Sequence, residues 1–232
     1  MAVFVVAHGA WSSGWAWRKM RPLMRAAGHE IFTPSYTGLG EREHLASQAV
    51  NLTLHITDIV NVLEFEDLRD VVVIGHSFGG VVATGVADRA RDRVARVIYV
   101  DAFVPEHGQS LMDLLPPHAR DAMRNGARLA DDGQRVPPRD MPPDTPQEIR
   151  AWAMPRRVAH PIAAFEEPLC LSGEPLPPRA YIYCQRIDGD DRFGSFAARA
   201  RREGWPYAEI DASHNPHISA PQELCALLQQ LS

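Results

Sequence analysis

A serine sits in Gly75-His76-Ser77-Phe78-Gly79, a G-x-S-x-G at the junction of two unlike stretches. Before it runs Val71-Val72-Val73-Ile74, apolar and mostly β-branched. After it come Val81, Val82, Thr84, Gly85 and Val86 at helical spacing. Strand, tight turn and helix form the setting in which such a serine becomes an exposed nucleophile. Flanking glycines let the chain reverse sharply, and the serine must then take a strained backbone conformation. Its hydroxyl would stand clear of the sheet, above a helix N-terminus that favours developing negative charge. A bare G-x-S-x-G also occurs by chance as a glycine-rich turn; the strand before and the helix after favour the functional reading.

A serine hydroxyl is a weak nucleophile at neutral pH and needs a base. His214 is the best candidate, in Asp211-Ala212-Ser213-His214-Asn215-Pro216-His217, just after the last predicted strand. His217 is a rival, but it follows a proline and fits the closing helix. The base needs a carboxylate to fix its tautomer and stabilise its charged form. Asp101 ends the strand Val97-Ile98-Tyr99-Val100, in an apolar setting that suits an orienting acid. Asp188, beside Asp190 and Asp191, follows Tyr181-Ile182-Tyr183-Cys184 and looks more like part of a solvated loop. Asp101 is favoured, with Asp188 as the alternative. A tetrahedral intermediate also needs an oxyanion hole. The backbone N–H of Phe78 would be one donor, and that of Ala10, in His8-Gly9-Ala10-Trp11, the other. His8 itself reads as a buried structural histidine bridging backbone groups.

These residues must be held by something rigid. Short apolar runs at 3–8, 29–33, 70–75, 94–100, 180–184 and 206–210 read as strands. Helical patterns lie near 15–27, 53–66, 79–90, 191–203 and 220–231. The alternation predicts a mostly parallel six-stranded sheet with helices on both faces, its site at the C-terminal strand ends. Residues 105–178 break the pattern and hold most of the 19 prolines, yet keep apolar anchors such as Leu111, Trp152 and Phe165. They read as a small Pro-rich cap inserted into one domain that spans residues 1–232.

Composition narrows the function. The chain has 232 residues and a net charge of −5, with no dense Lys/Arg cluster, which argues against a nucleic-acid partner. No apolar run approaches a membrane span and the N-terminus reads as a core strand, so a cytoplasmic setting is expected. The three cysteines, Cys170, Cys184 and Cys225, make neither a disulfide framework nor a metal-ligand pattern. No metal or organic cofactor is expected.

With those residues placed, the chain resembles the α/β-hydrolases, in the group of plant methyl esterases, plant hydroxynitrile lyases and bacterial pyrethroid-type carboxylesterases. The resemblance rests on His8-Gly9-Ala10-Trp11, Gly14-Trp15-Ala16-Trp17, Ala27-Gly28-His29 and Thr37-Gly38-Leu39-Gly40-Glu41-Arg42. It continues in Gly75-His76-Ser77-Phe78-Gly79-Gly80 and Asp101-Ala102-Phe103-Val104-Pro105. It covers nearly the whole chain and is weakest in the cap. It implies the α/β-hydrolase fold, Ser77 as nucleophile, His214 as base, and Ala10 and Phe78 as oxyanion donors. Where the lyases carry a lysine after the catalytic histidine, this chain has Asn215, which argues against a lyase. The plant members place their acid near Ile187, one residue before Asp188. Bacterial relatives share the Tyr-x-Asp-Ala-Phe-Val-Pro pattern at Asp101, so the acid stays open.

The expected function is a serine carboxylesterase that cleaves a small or medium hydrophobic ester through an acyl-enzyme. Trp11, Phe78, Phe103 and Trp152 are candidate pocket walls, each with core packing as its plainer role. A lactone-opening or cyclising hydrolase uses the same residues. A ligand receptor on a hydrolase scaffold is the alternative from another class. The expected partner is a small-molecule ester, with neither nucleic acid nor membrane, and a homodimer is compatible with the sequence.

Overall fold

Six apolar runs form the strands of one sheet in the computed structural model, which describes residues 1–130, 133–187 and 189–232. In chain order the strands are β1 (Val3–Ala7), β2 (Glu30–Phe32), β3 (Val71–His76), β4 (Val94–Val100), β5 (Arg135–Val136), β6 (His160–Pro161), β7 (Arg179–Cys184) and β8 (Tyr207–Ile210). The sheet order is β2-β1-β3-β4-β7-β8, and every adjacent pair is parallel. β5 and β6 make a separate antiparallel pair. Parallel strands need crossovers, and four helices provide them: α1 (Met20–Ala26), α2 (Leu52–Phe65), α3 (Gly79–Arg89) and α7 (Gly194–Arg202); α9 (Pro221–Leu231) follows the last strand and packs on the sheet. Between β4 and β7 the chain adds α4 (Pro117–Leu129), α5 (Gln147–Ala153) and α6 (Ala163–Glu166), and α8 (Pro216–Ser219) precedes α9.

Side chains alternate across each strand, so the sheet buries both faces. Val5, Val73, Val97, Tyr99 and Tyr181 face one core with residues of α2 and α3. Phe4, Val6, Ile74, Ile98 and Ile182 face the other with residues of α1 and α9. The expected helix over 15–27 is instead a 3₁₀ turn at Gly14–Trp17 followed by α1. Pro22 explains the break. It has no N–H and its ring would meet the carbonyl four residues back, so it is tolerated only in the first turn of a helix that starts at Met20. Among the described residues no helix is long and apolar enough to cross a membrane. The three cysteines are free thiols; Cys184 and Cys225 are buried and Cys170 is exposed.

An unusual feature of the interior is its histidine content. His8, His55, His76, His160 and His217 are all buried. His8 bridges two backbone groups: its Nδ1–H donates to the Gly9 carbonyl at 2.9 Å, and Nε2 accepts from the Tyr36 N–H at 3.2 Å. Burial lowers the pKa of His8, His55 and His217 to about 3, and pushes His76 and His160 well below the usual value. The native state therefore holds these rings neutral, while the unfolded chain protonates them near pH 6.5. Their stabilisation is complete above that pH and falls as pH drops from 6.5 toward 3. Each contributes a slope of about 1.4 kcal/mol per pH unit, so His8, His55 and His217 together approach about 4 kcal/mol per unit. Urea midpoints measured from pH 7.5 to 4.5 should collapse steeply on the acid side, and His55→Gln should flatten that fall. A midpoint that stays level across the range would contradict the neutral histidine core.

Candidate active site

The sharp turn after β3 begins with close packing. A Cβ at Gly75 would lie 2.8 Å from the Ala83 side chain and 2.9 Å from Gly80 Cα, and one at Gly79 would lie 2.0 Å from the Ala7 carbonyl oxygen. The turn can therefore lie against both α3 and β1 only with glycine at these points. Ser77 takes φ +55°, a left-handed conformation that side-chain-bearing residues rarely adopt. Its carbonyl accepts from the N–H groups of Gly80 at 3.0 Å and Phe103 at 3.2 Å, which hold the strained turn.

Asp101 follows β4 in a similar state, with φ +44°. Its N–H donates to the Ile182 carbonyl at 2.8 Å. The next peptide is clamped by Tyr181, whose hydroxyl donates to the Ala102 carbonyl at 2.9 Å and accepts from the Ala102 N–H at 3.1 Å. The carboxylate is thereby turned toward the loop after β8. His214 Nδ1 lies 2.7 Å from Asp101 Oδ2, and His214 Nε2 lies 2.9 Å from Ser77 Oγ. The structure thus brings Ser77, His214 and Asp101 into one hydrogen-bonded line. Asp188, the alternative acid, lies outside the described residues.

Two residues not anticipated from sequence set the imidazole. His76 Nε2–H donates to the His214 carbonyl at 2.7 Å, so the loop that carries the base is fastened to the turn that carries the serine. His76 is neutral because burial, and then the nearby His217 and His214, disfavour its charged form. Phe193 stacks on the other ring, 4.7 Å from the His214 centroid and 8° from parallel. Only the position of His76 inside the G-x-S-x-G could have pointed to the first. Nothing local marks Phe193.

These groups open into a cavity of about 510 Å³. Ala10, Phe78 and Phe103 line it, as does Trp11. The N–H groups of Ala10 and Phe78 donate to no protein acceptor among the described residues, which leaves both free at the serine. Trp11 takes φ +58°, donates from Nε1 to the Val136 carbonyl at 2.9 Å, and so ties the first loop to β5. The arrangement can pass a proton from a serine hydroxyl to an imidazole and hold negative charge beside it. Among the described residues no group of three His, Cys, Asp or Glu is arranged to hold a metal ion.

Trp152, expected in the pocket wall, lies outside the cavity lining. It packs edge-on against Trp15 at 5.3 Å, with the Arg18 guanidinium 3.6 Å above its ring and that of Arg156 at 4.5 Å. The reason is the course of α5, which turns this side chain toward the core on the α1 side of the sheet. Trp15, unremarked as a wall from sequence, lines the cavity instead. Trp152→Ala should therefore cost about 2 kcal/mol of stability through lost packing and cation–π contact. It should leave the ranking of a p-nitrophenyl ester series unchanged. A reordered ranking at wild-type stability would return Trp152 to the substrate.

The chain and its fold have counterparts among known proteins. The profile described as the alpha/beta hydrolase family matches residues 3–227. The carbendazim hydrolyzing esterase of Nocardioides sp. (strain SG-4G) is 37% identical over 245 residues, covering 100% of both chains. Methylesterase 2 of Arabidopsis thaliana is 31% identical over 123 residues, 47% of this chain and 43% of its own. Among solved structures, an extracellular alpha/beta-hydrolase from a Paenibacillus species superposes with a TM-score of 0.86 at 22% identity, covering 100% of this chain and 99% of that one. A family profile that runs almost end to end agrees with the parallel sheet and the serine turn after its third strand: this chain belongs to the alpha/beta hydrolase family.

Proposed function

We propose that the protein is a serine carboxylesterase in which Ser77 is the nucleophile, His214 the general base and Asp101 the orienting acid. The observation that carries this reading is the bonded line Asp101–His214–Ser77, at 2.7 and 2.9 Å, at the floor of the cavity. The relative named for hydrolysing carbendazim, alike over its whole length, supports ester cleavage. Ser77 Oγ attacks the ester carbonyl while its proton passes to His214 Nε2. Asp101 keeps the Nδ1–H pointed away from the serine and stabilises the imidazolium. The N–H groups of Ala10 and Phe78 receive the oxyanion. The imidazolium then gives its proton to the departing alcohol, leaving an acyl-serine. Water, deprotonated by the same imidazole, releases the acid and restores Ser77.

Residues 105–178 act as the cap in this reading. Leu111, Leu115 and Met123 supply apolar wall over the serine, and Arg139 and Arg157 supply charge. Asn215 in place of a lysine leaves no ammonium next to the base, which favours hydrolysis over cyanide chemistry.

A chromogenic short-chain ester tests the proposal directly and separates an enzyme from a receptor. Ser77→Ala should keep the fold and lower kcat by about 10⁴ to 10⁶. A folded variant with a tenth of wild-type turnover would remove Ser77 from the nucleophile's role. Asp101→Asn should lower kcat by about 10⁴, since asparagine can hold the imidazole in the wrong tautomer and cannot stabilise its charge. Near-normal turnover in that variant would move the acid elsewhere, with Asp188→Asn as the next variant to measure.

A further inference from the structure

We propose that the cavity is built for an ester that also carries a carboxylate, which Arg139, Arg157 and Arg192 bind. The ester half of this inference rests on the esterase reading of the same cavity; the anion half stands on the arginines alone.

Five arginines line the cavity, an odd endowment for a chain expected to take a neutral hydrophobic ester. Two are already satisfied. Arg150 is tied to Asp140 and donates to the carbonyls of Met141 at 2.8 Å and Pro142 at 3.0 Å. Arg186 forms a two-point pair with Asp211 at 2.8 and 2.9 Å. Among the described residues, no carboxylate lies within ion-pairing distance of the other three. The Nε atoms of Arg157 and Arg192 are buried and have no hydrogen-bond partner.

The fold gathers these three from separate places. Arg139 follows β5 and Arg157 precedes β6, so the antiparallel pair delivers both to one side. Their guanidinium carbons lie 5.9 and 5.8 Å from the Trp11 ring centroid, beside the loop that presents Ala10. Arg192 enters from the segment before α7, next to Phe193, which stacks on His214.

The carboxylates at the same cavity are engaged elsewhere. Asp101 is bonded to His214, Asp140 to Arg150 and its neighbouring Met141 N–H, and Asp190 to His118. Asp191 accepts from the Tyr183 hydroxyl and from the N–H groups of Phe193 and Gly194. Burial lowers Arg157 to about 10, with Asp140 only partly opposing it, and burial and then the charge of Arg192 lower Arg139. Arg139 and Arg192, half-buried at one cavity, repel each other, and Arg157 is desolvated by its own burial; a bound anion relieves both the repulsion and the desolvation. A guanidinium fork matches the two oxygens of a carboxylate. The wall of Phe103, Leu111, Leu115 and Met123 in the same cavity suits an organic carboxylate with an alkyl or aryl body over a strongly hydrated phosphate.

Matched ester pairs test this: 4-nitrophenyl hydrogen glutarate against 4-nitrophenyl butyrate, and 4-carboxyphenyl acetate against phenyl acetate. The first puts the charge on the acyl side, the second on the leaving group. Relative to uncatalysed hydrolysis, kcat/KM should favour the charged member of at least one pair by about tenfold or more, and added salt should erode that preference. Arg157→Gln and Arg192→Gln should each cut the charged-to-neutral ratio by about tenfold, and Arg157→Lys should retain part of it. Equal or inverted preference in both pairs, or a ratio that neither glutamine variant changes, would overturn the proposal. Calorimetric titration with benzoate and with benzyl alcohol needs no turnover. Wild type should bind benzoate and not the alcohol, and a folded glutamine variant should lose about tenfold in affinity. If no ester is cleaved, the esterase reading fails, and benzoate binding still decides the arginines. Benzoate binding that is absent, or unchanged in the variants, refutes them.

Discussion

The backbone at Ser77 is the constraint on which the site depends. Its left-handed conformation brings β3 to an abrupt end and starts α3 within two residues. That reversal is tolerated because Gly75 and Gly79 leave no Cβ where Ala83, Gly80 and the Ala7 carbonyl already lie. The Ser77 carbonyl is then bonded on both sides, by Gly80 and Phe103, so the strain is shared with the helix and with the loop after β4. Two neighbouring loops show the same state. Trp11 after β1 and Asp101 after β4 also have positive φ, and their strands flank β3. Three strained residues at three adjacent strand ends aim an N–H loop, a hydroxyl and a carboxylate at one point.

The base reaches that point from farther away, and its loop is held by polar and aromatic contacts together. His76 fastens the His214 carbonyl, Asp101 takes Nδ1, and Phe193 covers the ring face. Burial keeps His76 itself neutral. The same burial holds His8, His55, His160 and His217 neutral. The region under the cavity is thus a packed, uncharged histidine and aromatic layer, with Phe78 edge-on to His55, His160 and Phe165. Positive charge belongs to the cap side, where Arg139 and Arg157 face the same space. In the proposed binding mode the apolar body of the ligand meets the aromatic and aliphatic wall and its carboxylate meets these arginines.

Local pattern determined much of this protein. The apolar runs of β1, β3, β4, β7 and β8 stand out because a buried parallel strand must be apolar on both faces, and the observed bounds fall within a residue or two of the expected ones. The G-x-S-x-G is legible because its glycines answer to steric contacts of the turn itself. Pro22 could have shown that the first helix starts late, since its missing N–H is a property of the residue alone. What only the tertiary structure decided are relations across the chain. Asp101 and His214 are 113 residues apart and meet because β4 and β8 end at the same edge. Trp152 carries no local sign that it will turn to Trp15 and away from the cavity. Arg139, Arg157 and Arg192 look like ordinary surface charges in sequence. Only the β5–β6 pairing and the segment before α7 bring them around one space, because charge becomes informative when burial and the absence of a partner are known together.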